Sequence, residues 1–327
     1  MSDLPDVYHT TLVQKSGHVH PVDQAVLQQS QLISKRVSES KNAVAFSLGP
    51  TVALSKRFIA YIKGRKIRLI GKRAKGTTML STNSEAIAEI ALGEDNLGEF
   101  LVAVDSVGVL LAWRLSDDVR AKSVTGTLVA CVECSSGVSQ DTIFSIALSA
   151  SLPGTIFLSQ DTAHVVVLTL TDIPSERTLA LREVPHLQLG LPSDVLSRAH
   201  PRCANVVGVT DLAVSPNSEY MAASLFNGLV VVWSLNLPAG KFVFEQVAVV
   251  VEDSLLFSVH FLSDNLLLVG GPRNESLSVW QIPGSGKPLV KIQSLSFAHE
   301  GADTFIGQVA VCSQAESVLL TDMRNLT

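Results

Sequence analysis

Residues 209–235, VTDLAVSPNSEYMAASLFNGLVVVWSL, constrain what this chain can fold into more than any other stretch. Three short apolar runs follow one another: Val209 to Val214, Tyr220 to Leu225 and Leu229 to Leu235. Ser215-Pro216-Asn217-Ser218 reads as a turn after the first, and Asn227-Gly228 joins the other two. Asn-Gly between two apolar runs is a strong hairpin signal, because both central residues of a type I′ turn need φ > 0. Trp233 follows the turn glycine by five residues. A three-strand meander this short cannot bury its own faces, so the pattern has to recur and stack.

It does recur. Residues 87–115, IAEIALGEDNLGEFLVAVDSVGVLLAWRL, repeat the frame with Trp113 five residues after Gly108. Residues 256–282 repeat it with Glu275 in the turn and Trp280 five later. Residues 143–170 keep the frame but place Leu168 at the Trp position, and residues 52–70 place Ile70 there. The markers at 70, 113, 168, 233 and 280 lie 43, 55, 65 and 47 residues apart. Blades of the WD-repeat kind run about 40–45 residues, so two steps fit and two hold insertions. The expected fold is all-β, a WD40-type β-propeller in which Trp113, Trp233 and Trp280 are blade-core residues packed between neighbouring blades.

The chain divides into an N-terminal extension, residues 1–42, and a propeller, residues 43–327, with five clear blades and a partial sixth beginning at Ile306. The full protein is expected to be seven-bladed and the sequence incomplete at its C-terminus, or else closed in an unusual way. Asp6 to Val13 alternates enough to be a strand that closes the last blade and removes a free edge. Pro21 to Arg36 shows some helical periodicity. The first blade is expected over 43–72, with Lys63-Gly64-Arg65 at a hairpin tip. Fourth strands are expected over Val124 to Val132 and Phe242 to Val250. Val184 to Asn205, with three prolines, reads as a long connection.

Composition narrows the class. Hydrophobic residues make up 46% and charged residues only 17%, against about 25% charged in typical chains. Nothing approaches the roughly 18 unbroken apolar residues of a membrane span, and MSDLPDVYHT lacks the layout of a signal peptide. Cys131, Cys134, Cys203 and Cys312 are too few for a disulfide framework, which points to a reducing, intracellular compartment. The net charge of −5 is uneven. Residues 56–75 hold nine Lys and Arg and no acid, leaving 16 basic against 30 acidic residues elsewhere.

That basic run is the leading candidate for partner binding, through Lys56, Arg57, Lys63, Arg65, Lys66 and Arg68. RNA is a possible but weak ligand. Only Phe58 and Tyr61 offer nearby aromatic rings, and stacking platforms are what single-stranded nucleic acid uses. A protein partner, or a solvated outer strand, fits the charge better. His18 and His20 share one strand face, but zinc needs a third protein ligand and none is local. Cys131-Val132-Glu133-Cys134 has CxxC spacing without a second pair, and reads as structural or free thiols. No G-x-S-x-G, HExxH or phosphate-cradling motif occurs. Asp105, Asp161 and Asp211 are expected to brace turns and strand ends through backbone hydrogen bonds. No catalytic residue, cofactor or metal is expected, and the chain reads as non-enzymatic.

Several stretches carry a family resemblance. LGPTVALSKRFIAYIKGRKIRLI (48–70) resembles the first blade of the enhancer-of-mRNA-decapping scaffold family, which includes plant VARICOSE. Residues 87–115 and 209–235 are similar to its second and fourth blades. LLVGGPRNESLSVWQI is similar to its fifth, with Gly270, Gly271, Pro272 and Asn274 before Trp280, and VLLTDMRNL (318–326) matches its sixth. The resemblance covers about 43–326. It implies an N-terminal propeller followed by a low-complexity linker and a C-terminal helical region. It also implies a cytoplasmic scaffold of P-bodies that docks decapping activators and related decay proteins. Homo-oligomerisation would then belong to the missing C-terminal region, and no membrane is involved. A propeller subunit of a vesicle coat or nuclear pore is the alternative.

Overall fold

The computed structural model describes residues 11–14, 52–82, 86–133, 144–160, 164–173, 178–188, 209–225, 229–236, 243–251, 258–270, 276–283, 289–298, 306–312 and 317–322. Among them there is no helix, only strands and turns. The strands form successive antiparallel sheets, each built in chain order from one meander. The first sheet holds β2 (Val52–Leu54), β3 (Phe58–Lys63), β4 (Lys66–Gly71) and β5 (Thr77–Ser81). The second holds β6 (Ile87–Asp95), β7 (Gly98–Asp105), β8 (Val109–Asp118) and β9 (Ser123–Glu133). The third holds β10 (Ser145–Leu148), β11 (Thr155–Gln160), β12 (His164–Ile173) and β13 (Thr178–Gln188). The fourth holds β14 (Val209–Val214), β15 (Tyr220–Leu225), β16 (Leu229–Asn236) and β17 (Val243–Val251). The fifth holds β18 (Ser258–Ser263), β19 (Leu266–Gly270), β20 (Ser276–Gln281) and β21 (Val290–Ala298), and β22 (Ile306–Cys312) pairs with β23 (Ser317–Asp322) beyond it.

The first strands of consecutive sheets touch in order, β2 to β6 to β10 to β14 to β18 to β22, giving a propeller-like array of blades. The apolar cores lie between blades, not within them. Phe58, Ala60, Ile67 and Leu69 of the first blade pack with Leu101, Leu111 and Trp113 of the second. Val102, Leu110 and Ala112 use the other face of the second blade to meet Ile156, Val166 and Leu168 of the third. Phe157 and Val167 then meet Met221, Val231 and Trp233 of the fourth, and Ala222 and Val232 meet Val259, Leu267 and Val269 of the fifth. Side chains alternate across a strand, so a strand covered on both faces reads as an apolar run. LVVVWSLN in β16 is such a run.

In the second to fifth blades the marker residue faces the preceding blade. Trp113 and Trp233 are buried there, and Leu168 takes the same place with a smaller side chain. Trp280 is only half-buried; its indole N–H donates to Ser278 Oγ at 2.9 Å and Lys291 Nζ lies 5.3 Å from the ring centroid. Each of the three tryptophans sits at a register shift against the fourth strand: Ala112 pairs Ala130 and Trp113 pairs Leu128, Val232 pairs Ala248 and Trp233 pairs Gln246, Val279 pairs Gln293 and Trp280 pairs Lys291. One extra residue on the outer strand, a β-bulge, opposes each large ring.

Three expectations need correction. The first blade does not stop at residue 72: β5, TTMLS, is its fourth strand, and as an outer strand with only Leu80 buried it needs no apolar run. The connection after the third blade begins later than Val184, because Val184 to Gln188 complete β13. Pro185 is tolerated in that edge strand because it falls at the bulge between Val184 and Leu187. The N-terminal strand is β1 (Thr11–Gln14), and it adds to the outer edge of the fifth blade, Thr11 opposite Ala298 and Gln14 opposite Leu295, not to the last blade. The periodic segment 21–36, His18, His20, Cys134, Asp161, Asn227-Gly228 and Gly271 to Asn274 lie outside the described residues. Cys131 is an exposed free thiol on β9.

Candidate interaction surfaces

The nine cations of residues 56–75 do not form one patch. Successive strands run in opposite directions, so the first blade divides its charge between two ends. Lys63, Arg65 and Lys66 cluster at the β3–β4 tip, where Gly64 takes φ 62°, the left-handed conformation that favours glycine. All three side chains are exposed there. Lys56, Arg57, Lys72, Arg73 and Lys75 lie at the opposite end, about 20 Å away at about 3.3 Å per residue along a six-residue strand. Arg68 stands between them on β4 and donates to Tyr61 Oη at 3.1 Å.

Cations at the far end also have structural work. Arg57 pairs with Asp117 of the second blade and lies over the Phe58 ring, 5.4 Å from its centroid. That hydrogen bond, opposed in part by desolvation, raises its pKa above the ordinary arginine value. Lys72 donates through Nζ to the Ser55 carbonyl. Of the six sequence-proposed residues, Lys63, Arg65 and Lys66 therefore share one exposed site, Arg68 sits mid-strand, and Lys56 and Arg57 belong to the far end.

The inner strands carry a second set that sequence reasoning read only in part. Glu89 accepts the Ile146 N–H at 2.8 Å, Ser145 Oγ accepts the Leu212 N–H at 3.1 Å, and Asp211 Oδ2 accepts the Val259 N–H at 2.9 Å. Each acceptor lies on the first strand of one blade and each donor on the first strand of the next. The three bonds therefore latch blades two to three, three to four and four to five. Glu89 and Asp211 both follow a bulge, after Ile87 and Val209, that turns the side chain toward the next blade. Gln308 holds the same register position after Ile306 on β22. Asp105 behaves as expected of a turn brace, accepting the Val107 and Val109 N–H groups at 3.0 and 2.8 Å.

Burial shapes the chemistry of these carboxylates. Desolvation, with the nearby Asp211 charge adding to it, holds the Glu89 carboxyl well above its ordinary pKa, and Glu89 Oε2 has no partner. Desolvation also raises Asp211, while His260, whose Nε2 lies 3.9 Å from Oδ2, and its hydrogen bonds act against it. A groove of about 320 Å³ opens beside this latch, lined by Ala147 to Ala150, Leu212 to Pro216, His260 and Phe261. No group of three or more His, Cys, Asp or Glu among the described residues is placed to hold a metal ion.

No protein-family model matches the chain, and no curated protein matches it. Among solved structures it is similar to Raptor from Chaetomium thermophilum, with a TM-score of 0.53 and 13% identity over 81% of this chain and 22% of that one. The chain thus corresponds to a small part of the length of that protein. At such identity the likeness concerns the fold, and it agrees with the propeller-like array. Among the described residues no helix is long and apolar enough to cross a membrane.

Proposed function

We propose that this chain is a non-enzymatic interaction platform: a WD-repeat propeller, seven-bladed in the full protein, that serves a cytoplasmic mRNA-decapping scaffold. The propeller docks decapping activators or related decay proteins, in P-bodies, without cofactor or membrane. Self-association lies outside the propeller. The observation that carries the platform reading is the exposed β3–β4 tip, where Lys63, Arg65 and Lys66 project from a first blade that contains no acidic residue between Val52 and Ser81. The decay assignment rests on the resemblance of residues 48–70, 87–115, 209–235, 267–282 and 318–326. The polar groups on the first strands of the blades support a binding role over catalysis, since Glu89, Ser145 and Asp211 each accept a backbone N–H group of the next blade.

The test is a comparison of proteins co-purifying with the full-length chain from cells, wild type against Lys63→Glu/Arg65→Glu/Lys66→Glu. Exposed charges contribute little to folding, so the triple change should leave the denaturation midpoint nearly unaltered while removing decapping proteins from the purified set. Recovery of those proteins by the triple variant would move the binding site elsewhere. A wild-type set free of decapping proteins would reject the decay assignment. Steeply salt-dependent RNA binding that the triple change abolishes would transfer the tip to RNA.

A further inference from the structure

We propose that the far end of the first two blades is a separate docking surface for an acidic protein segment bearing an apolar anchor. It is built from two turns, one linking β4 to β5 and one linking β8 to β9. They touch backbone to backbone: a Cβ on Gly76 would lie 2.4 Å from the Lys122 carbonyl oxygen. The Arg57–Asp117 pair ties the two blades together beneath them. Residues 56–75 and 119–122, distant in sequence, thereby bring Lys56, Lys72, Arg73, Lys75, Arg120 and Lys122 onto one exposed face.

Six cations outnumber the two acids at these turns, Asp117 and Asp118, while Glu94 and Glu99 on the neighbouring β6 and β7 act on Arg57. Asp117 is engaged with Arg57, and Asp118 Oδ1 accepts the backbone N–H groups of Arg120 and Ala121 at 2.8 and 3.0 Å. The chain elsewhere is acidic, so this concentration of positive charge runs against its overall balance. Such a field draws an acidic partner and orients it.

Backbone geometry adds an independent observation. Lys75 has φ 54° and Lys122 has φ 50°. They hold equivalent places, each just before the residue that closes its turn: Gly76, whose carbonyl accepts the Gly71 N–H, and Ser123, which pairs with Asp118. The left-handed region favours glycine or asparagine and strains most other residues. Two adjacent turns thus place lysine where the turn itself would be better served by glycine. Strain of this kind is retained where the side chain is used.

The surface also tells which polyanion it fits. Its turns carry no exposed aromatic ring, so bases of a single strand have nothing to stack on. They do carry Val119, 57% exposed among the charges. A carboxylate-rich peptide with one aliphatic side chain matches both features. The site stands independently of the decapping assignment and lies at the other end of the blade from the β3–β4 tip.

Fluorescence anisotropy with the whole chain and a labelled Glu-rich decapeptide holding one central Leu tests this, with oligouridylate of equal charge as competitor. The peptide should bind at low salt, and Arg73→Glu/Arg120→Glu should weaken it by about tenfold or more. Lys75→Gly/Lys122→Gly should also weaken binding while raising the urea midpoint, a pair of effects that a purely structural role does not produce. Reversing Lys63, Arg65 and Lys66 should leave the peptide affinity unchanged. No peptide binding at low salt, equal binding by the Arg73/Arg120 variant, loss of binding only in the tip variant, or preference for oligouridylate would each overturn the proposal.

Discussion

The two faces of the first blade are made from the same four strands and differ in everything that burial supplies. On one face Phe58, Ala60, Ile67 and Leu69 are fully buried against the second blade. On the other, Val52 is 50% exposed, Leu54 56% and Met79 41%, with Ile59, Tyr61, Arg68 and Ile70 half-buried beside them. The residues are comparably apolar, so the difference lies in the neighbour. In this fold a blade stores its stability in the junction with the next blade, since hydrophobic stabilisation follows the area removed from water. The second to fourth blades have both faces covered, and their third strands contain the runs VLLAW, HVVVLTL and LVVVWSL. The first blade has KIRLIG, in which Lys66 and Arg68 alternate with Ile67 and Leu69. The strand already declares which of its faces meets water.

The marker residues give the sharpest way to break this comparison. Trp233 fills the junction between the third and fourth blades, and Ile70 stands at the matching place on the first blade's open face. Trp233→Ala should lower stability by about 3–5 kcal/mol. Ile70→Ala, from a half-buried site, should lower it by about 1 kcal/mol. Urea midpoints of the two variants measure the contrast. Equal losses would show that the two positions are equally enclosed and that the junction does not set the stability.

How much of this was legible in sequence depended on whether a signal was local. The glycine-to-Trp spacing and the apolar runs located most strand cores, and Ile306 and Val318 marked the two strands of the last sheet. β5 went unread because an outer strand buries little and TTMLS has no apolar run. The end of β13 went unread because Pro185 looks like a loop signal until the bulge accommodates it. The bulges opposite Trp113, Trp233 and Trp280 have no glycine to mark them. The basic run looked like one site because sequence shows spacing and not strand reversal, and its true neighbours, Arg120 and Lys122, lie some fifty residues on. Glu89 carries no local motif, although its place before Ile90, like that of Asp211 before Leu212, holds the shared position of the inter-blade latches.

Those latches give a smaller effect than the tryptophans. Glu89→Ala leaves the Ile146 N–H buried without its acceptor and should lower stability by about 1–3 kcal/mol. Glu89→Gln keeps an acceptor oxygen and should be milder, which the same denaturation series would show. An alanine variant as stable as the glutamine one would mean that the Ile146 bond contributes nothing at this junction.

The same pair of variants reads the ionisation of Glu89. Its folded pKa is raised, chiefly by desolvation. The native state therefore keeps a proton that the unfolded chain releases as pH rises past about 4.3. This group's contribution is fully present below that value and is lost progressively as pH climbs toward the folded pKa. Wild-type stability should thus carry a declining component across that window, and Glu89→Gln, which cannot titrate, should flatten it. Asp211 is shifted in the same direction and should leave part of the decline in place. An identical pH slope in wild type and Glu89→Gln would show that Glu89 is ionised in the folded protein as it is in the unfolded one.

The smallest expected effect is the most informative about the open face. Leu54→Ser and Met79→Ser alter side chains that are about half exposed or nearly so. Surface substitutions usually stay within about 0.5 kcal/mol, and both should behave so, in contrast to Leu69→Ala on the covered face of the same blade, expected near 2–5 kcal/mol. If Leu54→Ser instead approached the roughly 1.5–3 kcal/mol of a fully buried aliphatic side chain, something would be covering that face in solution. Dilution then identifies it. A second copy would give a loss that depends on protein concentration, because association stabilises only the assembled form. A concentration-independent loss would mean that the cover comes from the chain itself.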